Sequence, residues 1–228
     1  MPSREEAKDL RRQRIIEAAR ALIRDTAETG FSMRQLARDA GVSLVTPYNL
    51  FGSKLAILQV LLDEDLADYA TELNRSRRDP LNRIFEAVTL GRVYFERDEA
   101  YYRAVMSAVH AEPATGFRSV FRAPRRALWA RLVRAAVEGG YIDPSCPVEV
   151  TADLLAGIYF QNIQDWAHGE MPLEEVEARA LHGFAQVLLA SVTPNWRERV
   201  ARVSAQALAT ISENRHTTGE RPKTALAG

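Results

Sequence analysis

The chain has a single cysteine, Cys146, among 228 residues, and one thiol excludes an internal disulfide and a cysteine-built metal site. Cys146 lies between Ser145 and Pro147 and reads as a surface residue of a loop. Long apolar runs are missing as well: none reaches the ~18 residues that a membrane helix needs. No apolar segment precedes the first charged residues, so the start does not read as a secretion signal, and a cytoplasmic location without membrane attachment is expected. The chain has no excess charge of either sign, with 30 Lys and Arg against 30 Asp and Glu. It lacks a glycine-rich phosphate loop, a His-Glu-x-x-His pair and a nucleophile motif; no catalytic residue, cofactor or metal is expected.

What remains is helical. Hydrophobic residues make up 46% and charged residues 26% of the chain, ordinary for a globular protein, and the length suits one small and one larger domain. Ile15, Ala18, Ala19, Leu22 and Ile23 recur at helical spacing, after a polar, basic stretch over residues 1–12 that reads as a flexible arm. Ser53 caps a long helix through Leu55, Leu58, Leu62, Leu66 and Tyr69. Asp79-Pro80 opens another, Glu99 to Ala111 reads as a sixth, and Phe117 to Val137 as a seventh, bent at Pro124. Glu149 to His168 and the stretch after Pro172 form an antiparallel pair. Trp196, Val200, Val203, Ala207 and Ile211 mark a tenth helix, and residues 213–228 read as a disordered tail.

One stretch carries more than periodicity. Ser32 followed by Gln35 is a capping box that opens a short helix. Leu36, Ala37 and Ala40 supply its apolar face, and Gly41 can take the positive φ that closes it. Val42 plugs the corner and Ser43 is an N-cap candidate for a second short helix through Tyr48 to Phe51, making a helix-turn-helix. Its small core is expected from Ile16 or Ala19, Leu22, Phe31, Leu36, Ala40, Val42, Tyr48 and Phe51. On the second helix Leu44, Val45, Thr46 and Asn49 face outward. Asn49 can pair with adenine, Thr46 with base or phosphate, and Leu44 and Val45 with thymine methyls. With Ser43 as cap, Pro47 is the fourth helical residue and forfeits the bond to the Ser43 carbonyl. Residues 1–54 hold ten Lys and Arg against seven acids, a mild basic bias.

Leu36-Ala37, Ala40-Gly41-Val42-Ser43, Thr46, Tyr48 and Phe51-Gly52-Ser53-Lys54 resemble the DNA-binding domain of the tetracycline-repressor (TetR) family, from Ile15 to about Leu62. The resemblance implies an all-α fold with a helix-turn-helix DNA-binding domain over residues 1–54 and a helical sensing and dimerisation domain over 55–212. It also implies that Arg34 reaches a guanine edge or a phosphate, and that Tyr48 and Lys54 bind phosphate. A homodimer would form through the helices near 149–168 and 173–192. A small, largely apolar effector would release a repressor from palindromic double-stranded DNA. Candidates for its pocket are Tyr102, Met106, His110, Phe117, Phe121, Trp129, Tyr159, Asn162 and Trp166; in each case core packing is the competing reading. Two other functions compete: effector-independent DNA binding, and an all-helical enzyme built on Asp165, His168 and Glu170 or on His110 and Glu112.

Overall fold

The computed structural model describes residues 3–111 and 117–219, with side chains described for 3–109 and 121–214. Ten helices follow one another: α1 (Arg4–Thr26), α2 (Met33–Asp39), α3 (Val45–Phe51), α4 (Lys54–Asn74), α5 (Pro80–Arg97), α6 (Glu99–Ala111), α7 (Phe117–Glu138), α8 (Val148–Ala167), α9 (Leu173–Leu188) and α10 (Pro194–Gly219). Among the described residues the only β pairing is an isolated bridge, Ile142 to Val192. It ties the α7–α8 connection to the α9–α10 connection. By contact the chain divides into two units, Met1–Arg75 with Tyr94–Arg125 and Ser76–Val93 with Arg126–Gly228.

In the first unit, α1 buries Ile15, Ile16, Ala19, Leu22 and Ile23, the stripe expected from helical spacing. Its start differs from expectation. Residues 4–12 are helix, not a loose arm, because Ser3 and Glu6 form a reciprocal capping box and Glu5 and Glu6 sit in the first turn, where the helix dipole favours acids. α4 buries Ile57, Leu58, Leu61, Leu62 and Leu73. A polar cluster joins three helices of this unit. The Arg20 guanidinium donates to Asp65 at 2.6 Å and to the Tyr101 hydroxyl at 3.1 Å, and that hydroxyl donates to the other Asp65 oxygen at 3.0 Å. Tyr101 is fully buried, and burial pushes its phenol well above the ordinary value.

In the second unit, Asp79 caps α5 through the Asn82 amide at 2.9 Å. α9 packs against both α8 and α10. α10 docks through Val200, Ala207 and Ile211, which are buried, and through Ser204, whose hydroxyl meets His182 Nδ1 at 2.9 Å and Gln186 Nε2 at 2.8 Å. The tenth helix therefore closes its own unit. It also runs seven residues into the stretch read as a tail, ending at Gly219; residues 220–228 lie outside the described residues. Cys146 is buried, not a surface thiol, with Sγ 3.3 Å from the Thr151 hydroxyl.

Candidate nucleic-acid interface

The helix-turn-helix forms from three local instructions. Ser32 Oγ accepts from the Gln35 amide at 3.1 Å and starts α2; the return bond from the Gln35 side chain, the other half of the expected box, is absent among the described residues. Gly41 takes φ 62°, and the Val42 amide then closes on the Ala37 carbonyl at 2.9 Å, a left-handed helix stop that glycine adopts without strain. Finally, α3 starts one residue later than a Ser43 cap predicts. Leu44 is its N-cap position, with no side-chain capping bond, and Ser43 Oγ instead meets Thr46 Oγ1 at 2.8 Å.

That register resolves Pro47. Counting from Val45 it is the third helical residue, where no intrahelical partner exists for an amide. The Ser43 carbonyl it cannot bond is taken by the Thr46 amide at 2.9 Å. Pro47 is buried, whereas Tyr48, expected in the core, is 50% exposed. Leu44, Val45 and Tyr48 are all exposed large side chains, and Asn49 is exposed beside them while Thr46 is half-buried. A short helix that turns apolar and amide side chains to solvent gains nothing in folding from doing so.

The surrounding cations are placed by packing that no spacing rule reveals. Arg12 donates to the Leu50 carbonyl at 2.9 Å and lies over the Phe51 ring at 4.4 Å, locking the end of α3 to α1. Arg34 is exposed in the first turn of α2 and makes no ion pair among the described residues. Ser53 Oγ accepts from the Ala56 amide at 3.1 Å, capping α4. Lys54, expected on phosphate, donates to the Thr29 carbonyl at 2.9 Å and sits 5.5 Å from the Phe31 ring centroid. One of its three N–H donors is thereby used; the other two remain for an anion.

The effector candidates fall in both units. In the first, Tyr102 is half-buried and Met106 and Phe121 are buried; the side chains of His110 and Phe117 lie outside the described residues. In the second, Trp129 packs edge-on against Tyr159 at 5.6 Å and Phe184 at 4.9 Å, and Trp166 is buried. Asn162 donates to the Ile158 carbonyl one turn back at 2.8 Å, so its amide is served by its own helix. Tyr159 is different: its hydroxyl has no hydrogen-bond partner among the described residues, and burial pushes its phenol up. Gly91 makes room for it, because a Cβ there would collide with that hydroxyl. A cleft of about 370 Å³ in the first unit is lined by Gln13, Ile16, Glu17, Arg20, Glu64, Ala67 and Asp68. Its acidic lining does not suit an apolar effector.

The material for an enzyme does not converge among the described residues. His168 Nδ1 is 2.7 Å from the Gln164 carbonyl, and Asp165 accepts from Gln161 at 2.7 Å. Glu112 and the His110 side chain lie outside the described residues. Nor does any group of acids, histidines or cysteine there suit a metal ion, and no described helix is long and apolar enough to cross a membrane.

A small helix-turn-helix followed by a larger set of helices is an arrangement found among helical DNA-binding regulators. Residues 90–182 match the family described as tetracyclin repressor-like, C-terminal domain. No curated protein matches the chain in sequence. Among solved structures, FadR of Thermus thermophilus, a TetR-family transcriptional repressor in complex with lauroyl-CoA, is 23% identical. The match covers 80% of this chain and 97% of that one at a TM-score of 0.67. TylP, a TetR regulator of Streptomyces fradiae, is 19% identical over 94% of each chain at 0.61. A TetR-family regulator of Syntrophomonas wolfei is 20% identical over 78% of this chain and 94% of its own at 0.64. The chain thus has the fold of the TetR regulators along most of its length, and residues 90–182 match the C-terminal domain described for that family. The resemblance first carried by Leu36 to Lys54 is met again in a part of the chain that does not contain that motif.

Proposed function

We propose that the protein is a sequence-specific DNA-binding transcriptional regulator, a homodimeric repressor released from a palindromic operator by a small effector. In this reading residues 1–54 contact DNA and residues 55–212 sense and dimerise. The observation that carries it is the exposed face of α3: Leu44, Val45 and Tyr48 turned to solvent beside Asn49, on a helix whose opposite side buries Pro47. Asn49 pairs with adenine, Leu44 and Val45 touch thymine methyls, and Thr46, Tyr48, Arg34 and Lys54 hold phosphates or a guanine edge. The exposed Val150 and Leu154, one turn apart on α8, support a second copy docking there. The lauroyl-CoA in the FadR structure supports an effector with a long apolar part.

Selection of bound fragments from random duplex DNA by the purified chain tests this. A pseudo-palindromic consensus is expected, with Asn49→Ala relaxing one base position by about 1–3 kcal/mol. Lys54→Ala should weaken all sequences alike and lower the salt slope by about one. Binding without sequence preference at any salt concentration would leave an effector-independent architectural protein as the better reading.

A further inference from the structure

Arg125 stands on α7 immediately after Pro124. Its guanidinium donates to the Phe121 carbonyl at 2.8 Å and to the Leu62 carbonyl of α4 at 3.0 Å, and it lies over the Phe121 ring, 3.7 Å from the centroid. Both acceptors are neutral. A guanidinium carries five N–H donors, so three are left without a partner among the described residues. No carboxylate lies within ion-pair distance of it there, whereas Arg20, Arg24, Arg92, Arg126 and Arg134 each have one. Asp63 and Asp65 act on it only through space, and loss of water pulls its pKa down to about 10, which leaves it charged at neutral pH. The residue still keeps some accessible surface. A cation largely withdrawn from water, with no counter-ion among the described residues, is costly, and a planar fork is the best receiver of two carboxylate oxygens.

We infer that Arg125 receives an acidic group of the effector, which makes that effector a small amphipathic carboxylate with its apolar part against side chains such as Phe121. The inference rests on the effector-responsive reading above and replaces a purely apolar ligand by one with an anionic end. The bound carboxylate supplies the missing counter-ion, and because Arg125 also holds the Leu62 carbonyl, a ligand that recruits the guanidinium competes with a bond to α4.

The test compares octanoate, decanoate and phenylacetate with the carboxamides of the same skeletons on the full chain, by thermal unfolding and calorimetric titration. At least one carboxylate is expected to raise the unfolding temperature and bind at least tenfold more tightly than its amide, a preference that Arg125→Gln abolishes. Arg125→Lys, which keeps the charge and loses the fork, is expected to retain a reduced preference; it decides the matter if the glutamine variant fails to fold. Equal binding of acid and amide, unchanged carboxylate affinity in either variant, or no response to any carboxylate overturns the inference. Ligand-free binding of DNA by the same preparations is scored separately, so failure of the regulator reading is distinguishable from failure of the carboxylate preference.

Discussion

Gly91→Ala is the sharpest test of how the aromatic cluster of the second unit is built. Alanine in the middle of an exposed helix ordinarily gains about 1 kcal/mol over glycine. At position 91 of α5 the added Cβ would collide with the Tyr159 hydroxyl and come within 3.1 Å of the ring carbon that bears it. Tyr159 cannot simply retreat, since Trp129 packs edge-on against it and against Phe184. Overpacking of this kind costs about 1–3 kcal/mol. Set against the helix gain, the variant is expected to be destabilised by up to ~2 kcal/mol, or by as much as roughly 8 °C in Tm. The decisive arm is Tyr159→Phe, which removes the colliding atom. In that background Gly91→Ala is expected to cost about 1–2 kcal/mol less than in the wild type, measured as a double-mutant cycle by urea unfolding. Equal costs in both backgrounds, within the ~0.5 kcal/mol typical of independent sites, would refute the account.

Three further expectations follow from single contacts. Tyr101→Phe removes a hydroxyl bonded to both Arg20 and Asp65, and hydrogen bonds to charged groups contribute about 1.5–3 kcal/mol; an unchanged urea midpoint would show that the cluster contributes nothing. Gln164 is 2% exposed with neither side-chain amide atom bonded among the described residues, so Gln164→Met should stabilise by roughly 1–3 kcal/mol, and a lower Tm would mean that the amide has a partner. Pro47→Ala should destabilise by at least ~0.5 kcal/mol, because the proline loses less chain entropy on folding and its ring is buried; a more stable variant would contradict the register in which α3 starts at Val45.

Helix positions were legible because their causes are local. Ser32 and Ser53 announce α2 and α4, and the spacing over Glu99 to Ala111 matches α6. The same local signal is present at Ser3 and Glu6, yet residues 4–12 carry no apolar stripe, so their pattern alone reads as an arm. Pro47 looks like a defect only if Ser43 is the cap; a shift of one residue, to Leu44, turns the defect into a helix start. Contacts between distant residues have no periodicity to betray them. Arg12 finds the Leu50 carbonyl 38 residues on, Arg20 finds Tyr101 across 81, and Arg125 finds Leu62 across 63. Each was visible beforehand only as another basic residue on a helix.

The division by contact bears on how a signal would reach DNA. Cut by expected function, the chain parts between residues 54 and 55, but the unit that contains α2 and α3 also contains α4, α6 and α7 as far as Arg125. Arg20 of α1 is bonded to Asp65 of α4 and Tyr101 of α6, and Arg125 of α7 is bonded to the Leu62 carbonyl, one turn of α4 before Asp65. On the proposed reading, a ligand at Arg125 therefore acts on the helix that begins at Ser53, next to the recognition helix, within one compact body. It shifts DNA affinity only by the difference in its own affinity for the two arrangements of that body. Weakening the Arg20–Asp65–Tyr101 cluster by Tyr101→Phe should then change ligand-induced release from DNA while leaving the carboxylate preference at Arg125 intact. A variant that loses both together would mean that the cluster supports the fold of the unit and does not transmit between its parts.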